Sequence, residues 1–250
     1  MAVIDLNCDM GEGFDSDALL MPYISSANIA CGMHAGDKDT MKRTVDLCLR
    51  YGVAIGAHPS YPDRENFGRV DMIEKGFRYI DLPEILAEQI NLLADICKAA
   101  GATLHHVKPH GALYNRAAWD GMAAGFICST INEIDESLIF YGQSGSEMEA
   151  EADSYGLRFV REVFADRTYE DDGRLRARTL SDALITDTDK CISQVLQMIY
   201  EGRVTTISGK QITMKAETIC LHGDGAHAVE FAKAIHEELT RKGIIISHER

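Results

Sequence analysis

The chain has 250 residues, 46% of them hydrophobic and 26% charged, with 25 Lys+Arg against 39 Asp+Glu and a formal charge of −14. This is globular composition at a length suited to one large domain, and it excludes coiled coil, collagen and disorder. The acidic balance, with no basic run longer than two residues, argues against a phosphate-tracking nucleic-acid binder.

The first predicted strand is Val3–Cys8. Further short, β-rich runs follow at Ile24–Cys31, Val53–Ala57, Leu104–Lys108, Leu138–Tyr141, Arg158–Phe164 and Thr218–Leu221. Several are apolar with little alternation, as parallel strands covered on both faces should be. Amphipathic helices separate them. Asp39–Tyr51 places Met41, Val45 and Cys48 on one face and stops at Gly52. A second helix opens with Asp81 as cap and Pro83 in its first turn, runs through Leu86, Ile90, Leu93 and Cys97, and stops at Gly101. Thr188–Glu201 holds Ile192, Val195, Leu196 and Ile199, and Val229–Lys242 holds Ala232, Ile235 and Leu239. These are helical spacings with glycine stops. Gly202–Lys215 alternates weakly around Ser-Gly-Lys and predicts a β-hairpin before the last strand.

Strand–helix alternation predicts an α/β fold with a parallel sheet. Seven units suit an irregular seven-stranded parallel (β/α) barrel, with a doubly wound open sheet as the alternative. No linker or composition shift divides the chain, so one domain over 1–250 is expected. No apolar stretch approaches the ~20 residues of a membrane span. The start, Met1-Ala2-Val3-Ile4-Asp5, lacks a basic segment, so no signal peptide is expected. The seven cysteines are odd in number and form no CxxC, which predicts buried, reduced thiols in a cytoplasmic protein.

Polar residues gather where the predicted strands end. Asn7, Asp9 and Glu12 follow the first strand, and His34 and Asp37 follow the second. His58 ends the third, and Lys108 and His110 end the fourth. Glu162, Asp166 and Arg167 attend the sixth, and His222 and Asp224 the last. In parallel α/β folds the C-terminal ends of the strands carry the active site. A lone histidine beside a glycine is usually structural, but six strand ends carrying Asp, Glu, His or Lys predict a shared cleft. Imidazoles with carboxylates suit proton transfer near neutral pH. Asp9, His34, His58 and His110 are also the residue types of a divalent-metal site, although their spacing is not local. Lys108, Arg167 or Arg176 can clamp a carboxylate, the bland alternative for each arginine being a surface ion pair. His105 and His106 point to opposite faces of one strand, one inward and one outward. No P-loop, G-x-S-x-G or G-x-G-x-x-G occurs.

The blocks Asp5-Leu6-Asn7-Cys8-Asp9-Met10-Gly11-Glu12, Ala27-Asn28-Ile29-Ala30-Cys31-Gly32 and His34-Ala35-Gly36-Asp37 carry a resemblance. So do Gly56-Ala57-His58-Pro59-Ser60-Tyr61-Pro62-Asp63-Arg64 and Val107-Lys108-Pro109-His110-Gly111-Ala112-Leu113-Tyr114-Asn115. Glu162-Val163-Phe164-Ala165-Asp166-Arg167 and Ile219-Cys220-Leu221-His222-Gly223-Asp224 complete it. In these blocks, over nearly its whole length, the chain resembles the LamB/YcsF family of 5-oxoprolinase A subunits. The resemblance implies a seven-stranded barrel related to polysaccharide deacetylases. It also implies ATP-dependent opening of 5-oxoproline (pyroglutamate) to L-glutamate in complex with subunits B and C. The chain departs from the family pattern at Val70, at Ser181-Asp182 and at Gly225-Ala226.

The expected chemistry is ATP-coupled hydrolysis of a cyclic amide. In it Asp9 or Glu12 activates water or orients a histidine, and His58 and His110 shuttle protons. Lys108 steadies the developing oxyanion, while Glu162 and Asp166 orient cationic side chains or take part directly. Asn7, His34, Asp37, Arg167, Arg176, His222 and Asp224 are expected at the substrate. ATP is a co-substrate, and without a phosphate-cradling motif it is expected on the partner subunits. Self-association is a further option. Two rivals stand beside this reading. One is a metal-dependent deacetylase or amidohydrolase needing no ATP, with Asp9, His34 and His58 as ligands. The other is a non-catalytic subunit that captures a small carboxylate.

Overall fold

The computed structural model describes residues 2–222 and 228–248, so Asp224 and the departure at Gly225-Ala226 lie outside the described residues. In chain order the elements are β1 (Val3–Met10), α1 (Asp17–Leu20), β2 (Ser26–Ala30), α2 (Lys38–Tyr51), β3 (Ala54–His58) and α3 (Leu82–Ala99). Then come β4 (His106–Val107), α4 (Gly111–Ala117), α5 (Gly121–Ile134), β5 (Ile139–Gln143), α6 (Glu147–Tyr155) and β6 (Phe159–Phe164). The chain continues through α7 (Thr188–Glu201), β7 (Arg203–Thr205), β8 (Gln211–Thr213), β9 (Thr218–Leu221), α8 (Ala228–Arg241) and β10 (Ile245–Ile246).

Strands β1 to β6 and β9 form a closed parallel barrel among the described residues, because β1 pairs with β2 on one side and β9 on the other. Closure rejects the open-sheet alternative. β10 pairs with the start of β1, and β7 and β8 form the expected antiparallel hairpin. The fourth strand is shorter than its sequence suggests: only His106 and Val107 pair with both neighbours.

Strand β1 departs from the unbroken apolar pattern expected of a parallel strand. Ile4, Leu6, Cys8 and Met10 alternate with Asp5, Asn7 and Asp9, and all seven are buried. The apolar set joins the large hydrophobic cluster under the helices. The polar set points into the lumen, where Asp5 accepts hydrogen bonds from Ser25, Ser26 and Thr218. Successive side chains on a strand point to opposite faces, so one strand serves two environments. Burying such groups costs several kcal/mol apiece unless they are partnered, which makes the lumen a hydrogen-bonded lattice.

The predicted helical faces are the buried ones in α2, α3 and α8. In α7 the deepest residues are Cys191, Val195 and Met198, with Ile192, Leu196 and Ile199 packed at the rim of the core. Asp81 precedes α3 but its carboxylate takes Arg78 instead of capping. Helices α1, α4, α5 and α6 are unpredicted. Helix α5 buries small Ala123 and Ala124, and acidic α6 buries only Met148 and Ala152, so neither shows a strong apolar stripe. All seven cysteines are buried and unbridged. Among the described residues no helix is long and apolar enough to cross a membrane.

One glycine shapes the lumen. A Cβ on Gly56 of β3 would sit 2.1 Å from His106 Nε2. Gly56→Ala is therefore expected to destabilise the protein by about 1–3 kcal/mol, the usual cost of overpacking. Urea unfolding of the variant beside wild type measures it.

Candidate active site

The floor of the site is a buried ammonium. Lys108 follows β4, points into the barrel and is 2% exposed. Its Nζ lies 2.9 Å from Asp9 Oδ1, 2.9 Å from Glu162 Oε1 and 3.0 Å from Cys220 Sγ. Burial alone would strip its proton, but Asp9, Cys220 and Glu162 hold it well above the ordinary lysine range. Burial likewise opposes the Asp9 carboxylate, yet His58 and Lys108 hold it well below the usual range.

Two asparagines fix this ion cluster. Asn7 Nδ2 donates to Glu162 Oε1 at 2.9 Å and to Thr218 Oγ1 at 2.7 Å. Asn28 Nδ2 donates to Asn7 Oδ1 and Asp9 Oδ1, both at 2.8 Å. His106 Nε2 in turn donates to Asn28 Oδ1 at 2.8 Å, its ring stacked on Tyr141. Burial and His105 keep His106 well below the usual histidine range, so the ring is neutral. Each side-chain amide thus has a fixed orientation. Of the two neighbouring histidines, His106 packs inward, as one of the pair was expected to, and His105 is half-buried.

Beside the ammonium lies an imidazole cluster. His58 Nδ1 is 2.7 Å from the Lys108 carbonyl, to which it can only donate. His110 Nε2 is 2.9 Å from the Phe67 carbonyl, with the same consequence. The remaining atoms, His58 Nε2 and His110 Nδ1, face each other 3.0 Å apart, so at most one proton lies between them. Asp9 Oδ2 stands 3.3 Å from His58 Nε2. Glu12 Oε1 is 3.4 Å from His110 Nδ1 and 3.2 Å from His34 Nε2. The His34 and His110 rings stack with centroids 3.8 Å apart. Burial and the neighbouring imidazoles push both well below the ordinary histidine range. Phe67 contacts both rings edge-on and holds a backbone φ of 57°, an uncommon value outside glycine. That strained backbone presents the carbonyl that orients His110.

Above this floor opens a cavity of about 410 Å³. Asp9, Glu12, His58, Lys108, His110 and His222 line it. Asn7, His34 and Glu162 are buried behind it and support the lining groups. Asp166 holds His222, its two oxygens 2.9 and 3.0 Å from Nδ1. Burial works against the Asp166 carboxylate, but His222 keeps it below its ordinary value. Arg167 lines the cavity while its guanidinium donates to the Arg176 and Ala183 carbonyls. Burial and the nearby Arg178 push its pKa down to about 10.

Two expected substrate residues lie elsewhere. Asp37 is an exposed N-cap of α2, its carboxylate accepting from Thr40 N at 2.8 Å. Arg176 turns to Glu170 and Asp182 at 2.8 and 2.5 Å and does not line the cavity. Arg178, two residues on, takes that place together with Arg69. Neither was singled out in the sequence, because neither sits at a strand end. Asn28 and Cys220 also went unassigned. Their signal was a polar or thiol group in register with inward-facing neighbours on adjacent strands.

A family model described as "LamB/YcsF family" matches residues 4–249. The chain belongs to the LamB/YcsF family. Curated relatives include the 5-oxoprolinase A subunit of Tolumonas auensis, 46% identical over 98% of this chain and 99% of its own. That of Shouchella clausii is 48% identical over 98% of each chain. Among solved structures, the lactam utilization protein of Thermus thermophilus superposes with a TM-score of 0.91 at 36% identity, covering 98% of this chain and 99% of that one. The peptidoglycan deacetylase PdaC of Bacillus subtilis aligns at TM-score 0.52 and 13% identity over 98% of this chain and 87% of that one, a likeness of fold alone. This LamB/YcsF barrel is thus of the kind also used by polysaccharide deacetylases.

The ion cluster has measurable consequences. Lys108→Met leaves Asp9 and Glu162 buried without their cation, and should cost about 3–5 kcal/mol in denaturant unfolding. Asp9, depressed in the folded state, adds stability above its unfolded pKa of about 3.9 and loses it as pH falls through the lower folded value. Acid unfolding of Asp9→Asn should therefore depend less steeply on pH below about 4 than that of wild type.

Proposed function

We propose that this chain carries the hydrolytic centre of an ATP-dependent 5-oxoprolinase, acting with subunits B and C to open 5-oxoproline to L-glutamate. The observation that supports it most is the Lys108 ammonium, pinned between Asp9 and Glu162 at the floor of a cavity beside the imidazoles. The names of relatives at 46–48% identity support the substrate and the multi-subunit setting.

A five-membered lactam is an unactivated amide. Transfer of the ATP γ-phosphoryl group to its oxygen makes the ring carbon electrophilic. Water adds to that carbon, the ring C–N bond breaks as the nitrogen takes a proton, and a second water hydrolyses the resulting γ-glutamyl phosphate to L-glutamate and inorganic phosphate. Lys108 faces the oxygen on which negative charge gathers, a contribution worth several kcal/mol in a preorganised site. Asp9, with one oxygen on Lys108 and the other beside His58, takes the proton of the attacking water. His58 and His110 hold one proton between their facing nitrogens for the departing ring nitrogen. Arg69, Arg167 and Arg178 at the mouth meet the substrate carboxylate or the transferred phosphoryl group, in a chain that is otherwise strongly acidic. ATP itself is held by the partner subunits.

The test is glutamate formation from 5-oxoproline and ATP by the full chain, alone and co-assembled with subunits B and C. Activity is expected only in the assembly. Lys108→Ala and His110→Ala should each lower kcat by at least about 100-fold in an assembly that still forms. Full activity in either variant removes that residue from the scheme. Arg178→Gln should instead raise KM for 5-oxoproline about tenfold or more with a smaller change in kcat, the signature of lost ground-state binding.

A further inference from the structure

We infer that Glu12, His34, His58 and His110 form a binding site for one divalent transition-metal ion. Only the location of the cleft is taken over from the proposed function.

The ground is a close grouping of ligand-type atoms. Backbone carbonyls of Lys108 and Phe67 claim one nitrogen of His58 and one of His110 as donors. The remaining two nitrogens face each other at 3.0 Å, and without a proton between them both are acceptors. Two lone pairs so placed repel unless a positive centre lies between them. Glu12 Oε1 stands 3.4 Å from His110 Nδ1 and 3.2 Å from His34 Nε2. One atom from each of the four residues lies within 4.8 Å of the rest. Ligand bonds of ~2.0–2.1 Å in a tetrahedron set donors about 3.3 Å apart, so the close pairs here match an edge of such a shell. Three imidazoles with one carboxylate favour zinc, cobalt, iron or manganese over magnesium or calcium. The carbonyls behind His58 and His110 are the outer partners that orient metal-binding imidazoles.

A second cluster, Asp9, Cys220 and His222, is equally compact. It already holds a cation, since the Lys108 ammonium lies 2.9 Å from Asp9 Oδ1 and 3.0 Å from Cys220 Sγ. Asp9 is thereby committed to the ammonium, and of the metal set that the sequence suggested His34, His58 and His110 remain, with Glu12 in the place of Asp9. The ion and the proton shared by His58 and His110 are alternatives for one location. A bound divalent ion acidifies nearby water and polarises carbonyl oxygen. With the ion in place, Asp9 remains outside the four donors as the proton acceptor.

The experiment uses the full chain, stripped with chelator and titrated with Co²⁺, reading visible ligand-field absorption and bound cobalt per chain. One equivalent is expected. Glu12→Gln, which keeps the shape of the side chain, and His110→Ala should each weaken binding at least about tenfold, while His222→Ala should retain it. Wild type without cobalt absorption, or loss of binding in His222→Ala but not in Glu12→Gln, overturns the assignment. Glutamate formation by a chelated assembly that binds no cobalt defeats this inference alone. Cobalt binding without glutamate formation in any partner combination defeats the functional reading alone.

Discussion

The buried Lys108 ammonium organises the lumen of this protein. The Lys108 ammonium stands inside a closed barrel, where an unpaired charge costs several kcal/mol or more. Two carboxylates, from the first and sixth strands, and a thiol from the last barrel strand surround it. Those carboxylates need donors of their own, which Asn7 and Asn28 supply. Asn28 needs a donor for its oxygen, which His106 supplies, and His106 needs the space left by Gly56. The polar lumen is thus a chain of obligations that begins at one lysine. Replacing any member leaves another buried group unsatisfied, which is why so much of the interior is hydrogen-bonded rather than oily.

The same economy shapes the cleft. Asp9 belongs to both the ammonium and the imidazoles, so one carboxylate joins Lys108 to His58. Backbone carbonyls, rather than further side chains, fix the two central histidines. Their tautomers are therefore set by the path of the main chain through Lys108 and Phe67. A strained residue at the rim is consistent with such a device, because the direction of its carbonyl is what the site uses. Arg69, Arg167 and Arg178 line the same cavity as the imidazoles and the ammonium.

Much of the site was legible in the strand ends. Asp9, Glu12, His58, Lys108, His110 and His222 line one cavity although they lie up to two hundred residues apart in the chain. They converge because a parallel barrel carries every strand's C-terminal end to the same rim. The failures are equally physical. Asp37 stands two residues before an amphipathic run, and an aspartate there serves as a helix cap as readily as a ligand. Arg176 and Arg178 are indistinguishable in an irregular loop until acidic neighbours take one of them. Arg69 belongs to a connection, and strand-end reasoning never reaches connections.

By itself the sequence determined the parallel α/β alternation, the covered faces of α2, α3 and α8, the family and the set of polar groups at the strand ends, because these depend on local periodicity and contiguous motifs. Only the tertiary structure decided that the sheet closes on itself, that alternate residues of the first strand turn into a polar lumen, and which nitrogens of His58 and His110 face each other. Those outcomes depend on pairings between distant strands and on carbonyls brought near by the fold. No spacing along the chain encodes them.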